Sequence, residues 1–142
     1  MTARTSSAQW QGDLKNGSGE LSLGSGAFSG AYSFVSRFED GDGTNPEELI
    51  AAAHAACFSM SLSNILATAG TPATSVKTDA TVLLERVDGV LTITRIDLDT
   101  VGVVPGIDEA MFLEKAEEAK NNCPVSRLLA AAQIGLTATF SN

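Results

Sequence analysis

The longest apolar segment of the chain lies between Pro46 and about Ala69, and its pattern predicts one long helix. Apolar or small residues occur on every side of this helix, and no formal charge follows Glu48 until Lys77. A helix of about 24 residues is about 36 Å long. Because a helix that is apolar all round is typical of a buried position, we expect it to be covered on every side.

Capping signals mark both ends of this helix. Asn45 is a favourable N-cap, and Pro46 takes the first helical position, where its missing N–H costs nothing. Glu48 falls at the third helical position, where it can close a capping box back to Asn45. Glu47 is then a second carboxylate without a local role. Gly70 predicts the end of the helix.

Three strands are predicted before the helix. Alternation around an Asn-Gly turn predicts a hairpin over residues 8–23, and residues 31–38 form a third strand with Arg37 at its end. The acidic loop at residues 39–43 lacks the ligand spacing of a calcium-binding helix-loop-helix, so we interpret it as a flexible turn.

The remaining strands follow the helix. Residues 76–87 alternate, Asp88-Gly89 turns the chain, and the phase of the return strand slips at Thr94-Arg95, which predicts a β-bulge. An amphipathic helix is then expected over Asp108–Asn121, and a short helix from Cys123-Pro124 to Ala132. The residues expected to face inward on the first of these are Phe112, Leu113, Ala116 and Ala119. Residues 134–140 alternate as the last strand.

The element order βββ-α-ββ-αα-β predicts an α+β fold with a long central buried helix, in a single domain over residues 1–142. One small sheet covers only one side of a helix. The apolar remainder is therefore expected to pack on a second copy of itself, since its alanines allow close backbone approach. A homodimer with a broad, obligate interface follows as a hypothesis.

Composition narrows the classes of partner. The net charge is −8 and the nine basic residues form no cluster, which argues against binding to nucleic acid or to an anionic membrane. The long apolar segment could span a bilayer by length, but hydroxyl, amide and imidazole side chains interrupt it. The N-terminus has no apolar core typical of a secretory signal, so we expect a cytoplasmic protein. In the cytoplasm, a cysteine pair is more often catalytic or redox-active than structural.

Cys57, Arg37 and Glu47 are the first candidates for chemistry. A cysteine inside a helix is usually an inert core residue, and a pKa of about 8.5 leaves about 3% thiolate at pH 7. A guanidinium that lowered the pKa by about one unit would raise the thiolate to about a quarter. Arg37 could do so with Glu47 as its own carboxylate, or the two could form a surface ion pair of small energetic value.

Cys123 and His54 are the remaining candidates. Cys123 precedes Pro124 at a helix N-terminus, where the helix dipole would make it the more acidic thiol on local grounds, or it could be a capping residue chosen for its size. His54 could serve as a base, as a metal ligand or as a hydrogen-bonded core residue. His54 with both cysteines supplies only three ligands, so we expect no metal site.

Four segments together resemble the osmotically inducible protein C (OsmC) family, which is related to the organic hydroperoxide resistance (Ohr) proteins. They are Arg37-Phe38-Glu39, residues 43–50 (GTNPEELI), residues 53–60 (AHAACFSM) and residues 122–126 (NCPVS). The resemblance covers essentially the whole chain. Glu-Glu-Leu-Ile followed by Ala-His-Ala is similar to the OsmC branch rather than the Ohr branch.

The resemblance implies a thiol peroxidase that works as an intertwined homodimer. In this family's pattern Cys57 matches the peroxidatic cysteine and Cys123 the resolving one, while Arg37 and Glu47 match the pair that activates the thiolate. This overrules the local argument that Cys123 is the more reactive thiol. It also implies a peroxide substrate, an external dithiol reductant and no metal, flavin or haem. The competing class is a non-catalytic binding or interaction protein on the same fold.

The length of the helix adds a geometric expectation. Cys57 follows Glu47 by ten residues, about 15 Å along an unbroken helix. One guanidinium can hardly bond Glu47 and also touch Cys57 of the same helix. If the helix is continuous, we expect Arg37 and Glu47 to serve the Cys57 of the partner chain.

Overall fold

The computed structural model describes all residues, 1–142. Six strands and four helices follow in the order β1 (Ser6–Gln11), β2 (Ser18–Leu23), β3 (Ser29–Tyr32), α1 (Phe34–Phe38), α2 (Pro46–Thr68), β4 (Ser75–Val87), β5 (Val90–Val103), α3 (Glu109–Asn122), α4 (Pro124–Leu128) and β6 (Gln133–Ser141). The chain divides into two compact units, Met1–Leu49 and Ile50–Asn142. The predicted α+β class is confirmed, with one helix more than expected.

The first unit is built on an antiparallel sheet in the order β1-β2-β3, which confirms the predicted hairpin. β1 ends at Gln11, so Leu14 lies in the turn. The Asp13 carboxylate accepts hydrogen bonds from the backbone N–H groups of Lys15 and Asn16, at 3.0 and 2.9 Å. Such side chain to backbone bonds stabilise a turn at the expense of a longer strand.

The prediction of one strand over residues 31–38 is wrong in its second half. β3 ends at Tyr32, and a capping box then starts α1: the Ser33 hydroxyl accepts from the Ser36 N–H at 3.1 Å, and the Ser36 hydroxyl accepts from the Ser33 N–H at 2.9 Å. The two serines satisfy backbone donors that a strand would have left to a neighbour. Arg37 consequently lies in the last turn of a helix, not at the end of a strand.

α2 begins where the sequence predicts. The Asn45 side-chain oxygen accepts from the Glu48 N–H at 2.8 Å, so Asn45 caps the helix. The reciprocal half of the expected capping box is wrong, because the Glu48 carboxylate instead accepts from the Thr44 hydroxyl at 2.6 Å. At the other end Gly70 has a φ of 84° and the Thr71 N–H bonds the Leu66 carbonyl at 3.0 Å, a glycine-terminated helix end.

Burial of α2 on every side is not achieved within one chain. The buried residues of α2 are His54, Phe58, Leu62 and Leu66, which are spaced four apart and form a single stripe. Met60, on another face, is 75% exposed. By length and composition α2 is long and apolar enough to cross a membrane, a property that it shares with core helices of soluble proteins. Two of its polar side chains bond to other elements of the second unit, His54 to Ser126 at 2.7 Å and Ser59 to Thr78 at 2.8 Å.

The second unit contains a sheet in the order β4-β5-β6. β4 and β5 are antiparallel, and their register shifts so that Leu83 faces Arg95 and Leu84 faces Ile93. Thr94 is the extra residue, which confirms the predicted bulge. β6 runs parallel to β5, because α3 and α4 carry the chain back to the opposite end of the sheet.

The core of this unit lies between α2, α3 and the sheet. Its fully buried members are Phe58, Leu62, Leu66, Leu98, Val104, Phe112, Ala116 and Ala119. Asp108 caps α3 by accepting from the Met111 N–H at 2.8 Å. The inward positions Phe112, Ala116 and Ala119 are confirmed, whereas Leu113 lies beside this stripe and is exposed. α4 ends at Leu128, four residues earlier than predicted.

Candidate active site

The two cysteines meet in the second unit. Cys57 lies in the middle of α2 and Cys123 lies between α3 and α4, and their sulfur atoms are 2.7 Å apart, with the Cys123 thiol donating to Cys57. Both are free thiols, Cys123 buried and Cys57 half-buried. Because a disulfide bond is about 2.05 Å long, only a small movement separates this pair from a covalent bond.

Cys123 is placed by the junction of two helices. Its backbone N–H bonds the Ala119 carbonyl at 2.9 Å, and its carbonyl accepts from the Arg127 N–H at 3.0 Å. It is therefore the last residue bonded to α3 and the first bonded to α4, and Pro124 starts the new helix at a position where no N–H is needed. Its side chain makes no capping bond to α4, which leaves the thiol free to face Cys57.

The surroundings of Cys57 favour the protonated thiol. Burial raises the pKa of Cys57, the neighbouring Cys123 raises it further, and only a hydrogen bond from the Val125 backbone N–H lowers it. The two residues that contribute by hydrogen bond or charge, Cys123 and Val125, belong to the second unit. Burial and the neighbouring thiol together outweigh the Val125 hydrogen bond, so the pKa of Cys57 lies above its usual value.

Arg37 and Glu47 form a two-point ion pair in the first unit. The guanidinium donates from Nε to one carboxylate oxygen at 3.2 Å and from a terminal nitrogen to the other at 2.7 Å. Glu47 is 12% exposed and Arg37 is 33% exposed, so the pair is more enclosed than an ordinary surface ion pair. The adjacent Glu48 is bonded to Thr44 and takes no part in this pair.

Arg37 also borders an apolar cavity of about 420 Å³ in the first unit. Its other lining residues are Trp10, Gly12, Leu14, Tyr32, Ser33, Phe34 and Phe38. This cavity was not predicted from the sequence. The signal that could have indicated it is the concentration of aromatic residues, since five of the eight in the chain precede residue 39.

His54 is a buried, hydrogen-bonded residue, as one of the sequence interpretations held. Its Nε2 lies 2.7 Å from the Ser126 hydroxyl, and its Nδ1 has no partner. Burial lowers the pKa of His54, so the imidazole is neutral at pH 7. No group of three or more metal-ligating side chains is positioned to hold an ion. The structure thus brings the predicted site residues together as two pairs, Arg37 with Glu47 and Cys57 with Cys123.

Comparison with known proteins places the chain in a family. Residues 39–137, which contain Glu47 and both cysteines, match the family model described as "OsmC-like protein". The chain belongs to the OsmC-like family. It is 50% identical over 125 residues to Peroxiredoxin OsmC of Escherichia coli (strain K12), which covers 87% of each chain. The prediction of a peroxiredoxin-like enzyme is thereby confirmed.

Solved structures of OsmC-like and related proteins share the fold. An OsmC-like protein from Mycoplasma pneumoniae superposes with a TM-score of 0.76 at 15% identity over 99% of both chains. The organic hydroperoxide resistance protein OhrB of Bacillus subtilis superposes with a TM-score of 0.68 at 20% identity, covering 96% of this chain and 97% of that one. At these identities the likeness establishes the OsmC-like fold alone.

Proposed function

We propose that this enzyme is a thiol peroxidase that reduces organic hydroperoxides, with Cys57 as the peroxidatic and Cys123 as the resolving cysteine. The observation that carries the proposal is the 2.7 Å separation of the two sulfur atoms, on residues 66 positions apart in the chain. Two free thiols in contact are what a two-step oxidation to a disulfide requires.

The reaction balances with these two residues, the peroxide and an external dithiol. The Cys57 thiolate attacks the distal peroxide oxygen, the O–O bond breaks, and the other oxygen leaves as an alcohol after taking a proton. Cys57 is then a sulfenic acid. The Cys123 sulfur attacks it, water leaves, and a disulfide forms before a second peroxide can oxidise Cys57 further. The external dithiol reduces the disulfide by exchange and is itself oxidised.

Arg37 and Glu47 are proposed to activate Cys57 across a homodimer interface. Within one chain, burial holds the pKa of Cys57 above its usual value, so activation needs an added positive charge. Action of Arg37 and Glu47 on the partner's Cys57 was expected if the helix is unbroken, and α2 runs without interruption from Pro46 to Thr68. The apolar residues of α2 left uncovered in one chain support a second copy as the partner. Glu47 would orient the guanidinium, which stabilises the developing negative charge on oxygen.

The aromatic cavity beside Arg37 supports an organic peroxide as substrate. Its walls are mainly aromatic and aliphatic, and it is large enough for a short alkyl or aryl group. Such a cavity strengthens binding of an organic hydroperoxide through apolar burial but adds little for hydrogen peroxide. Hydrogen peroxide is therefore expected to be the poorer substrate of the two.

We expect the enzyme to act as a soluble cytoplasmic protein in defence against peroxide stress.

Thiol titration before and after one equivalent of cumene hydroperoxide tests the proposal. Loss of two thiols per chain is expected, because both cysteines end in the disulfide. If no thiol is lost, the chain is a non-catalytic binding or interaction protein in which the cysteines are core residues. Dithiothreitol added afterwards should restore both thiols, which separates disulfide formation from irreversible oxidation.

A further inference from the structure

A second contact links α2, which carries Cys57, to the segment that begins at Cys123 and continues as α4. His54 precedes Cys57 by three residues on α2, and Ser126 follows Cys123 by three residues on α4. His54 Nε2 and the Ser126 hydroxyl are 2.7 Å apart, and both side chains are buried. The cysteine contact and the His54–Ser126 contact therefore lie about one helical turn apart on the same helix faces.

Two contacts constrain α4 more than one would. His54 precedes Cys57 on α2, whereas its partner Ser126 follows the partner of Cys57, Cys123. The two segments are therefore antiparallel where they meet. Without the His54–Ser126 contact, α4 would be held on α2 only at Cys57, by the Cys123 thiol and the Val125 N–H. α4 has only five residues and its backbone packs mainly on α3, so its few contacts with α2 decide how it is held there.

The His54 imidazole has no other hydrogen-bonding partner that could replace Ser126. Ser126 is the only hydrogen-bonding partner of His54, whose Nδ1 has none. A neutral imidazole carries one N–H, and placing it on Nε2 lets it donate to the Ser126 hydroxyl. The opposite tautomer would bury an unpaired N–H donor, which is rarer in proteins than an unpaired acceptor. Removing the serine hydroxyl would leave the buried imidazole without any partner, a costly state.

We propose that the His54–Ser126 hydrogen bond is a positioning contact that holds Cys123 against Cys57 and so sets how readily the disulfide forms. During turnover, the contact favours disulfide formation over further oxidation of the Cys57 sulfenic acid. This second effect rests on the proposed function. His54 and Ser126 are positioning residues, since they act through the cysteines and do not touch the peroxide.

Equilibration in glutathione redox buffer tests the contact without any peroxide. Oxidised glutathione takes two electrons from Cys57 and Cys123, which form their disulfide while two reduced glutathiones are released. We expect Ser126→Ala to lower the equilibrium constant for this oxidation about tenfold, which raises the reduction potential by about 30 mV. Ser126→Thr keeps the hydroxyl and should stay within about twofold of the unmodified protein.

Ser59→Ala is the matched control. Ser59 also lies on α2 and donates a hydrogen bond from its hydroxyl, to Thr78 at 2.8 Å, but this bond reaches β4 and not α4. Its equilibrium constant should equal that of the unmodified protein. An unchanged constant in Ser126→Ala, or an equal shift in Ser59→Ala, would overturn the proposal, because the effect would then be absent or a general loss of stability.

A pulse of cumene hydroperoxide extends the test to turnover. In Ser126→Ala the first loss of the Cys57 thiol should keep its rate, while the fraction of Cys57 found as sulfinic acid should rise about tenfold at equal peroxide. A sulfinic fraction equal to that of the Ser59→Ala control would contradict the proposal. If no variant consumes peroxide while the glutathione constants still differ as expected, the positioning contact stands and the peroxidase function fails.

Discussion

Two adjacent glutamates at the start of α2 have different roles. Glu48 accepts from the Thr44 hydroxyl and lies in the first turn of the helix, where a carboxylate is favourable. Glu47 bonds Arg37 at two points. The sequence predicts different roles for the two carboxylates, but its reason is only half right. The N-cap bond uses the Glu48 backbone N–H, whereas the predicted bond from the Glu48 side chain back to Asn45 is absent.

Replacing Glu47 should reduce activity, whereas replacing Glu48 should reduce stability. Glu47→Gln removes the charge that orients Arg37, so we expect a fall of at least about tenfold in kcat/KM for cumene hydroperoxide and a higher apparent pKa for Cys57 alkylation. Glu48→Gln, the matched control, should leave both nearly unchanged and cost about 0.5–1 kcal/mol of unfolding free energy. Equal kcat/KM in the two variants would contradict separate roles.

The buried imidazole of His54 makes stability depend on pH. Burial lowers the pKa of His54 in the folded chain, so the unfolded chain, with a pKa of about 6.5, binds the proton more readily. The contribution of neutral His54 to the free energy of unfolding is therefore fully present above about pH 6.5. It is lost as the pH falls from there toward the lowered pKa of His54 in the folded chain. Urea unfolding at pH 7.5 and 5.5 should show this loss, and His54→Gln should reduce it. An identical pH dependence in both proteins would assign the loss to other groups.

At the scale of the elements, the long helix, both hairpins and the bulge were predictable because each depends on residues close in sequence. Asn45 and Gly70 determine the ends of α2, and the phase slip of the alternation at Thr94 indicates the bulge. α1 was missed because the Ser33–Ser36 capping box competes with an apolar strand pattern. The parallel pairing of β6, the cysteine contact and the aromatic cavity join distant residues, and spacing alone does not specify them.

The capping box of α1 is expected to matter for activity because α1 carries Arg37. Ser33→Ala removes the acceptor for the Ser36 N–H and should cost about 1 kcal/mol of unfolding free energy, with a fall in kcat/KM as Arg37 loses its position. Ser33→Asp keeps an acceptor and should retain activity. Ser25→Ala, in an exposed loop, is the control for a lost serine hydroxyl. Full activity in Ser33→Ala would show that α1 does not position Arg37.

At the scale of the whole molecule, the proposed activation of Cys57 by Arg37 requires two chains per active site. Mixing Arg37→Ala with Cys57→Ser subunits tests this, because each homodimer lacks one essential group at both sites. If Arg37 serves the partner's Cys57, each mixed dimer contains one intact site. A random mixture should then recover about a quarter of the normal activity, since half of the dimers are mixed and half of their sites are intact. No recovery after verified subunit exchange would place Arg37 and Cys57 of one chain in the same site.

The roles of the two cysteines are tested most directly by the intact mass of each protein after one equivalent of cumene hydroperoxide. We expect the unmodified chain to lose two hydrogen atoms as Cys57 and Cys123 join, and Cys123→Ser to gain one oxygen atom as the Cys57 sulfenic acid persists. Cys57→Ser should keep its mass. An oxygen atom gained by Cys57→Ser and not by Cys123→Ser would contradict the assignment, because it would make Cys123 the residue that attacks the peroxide.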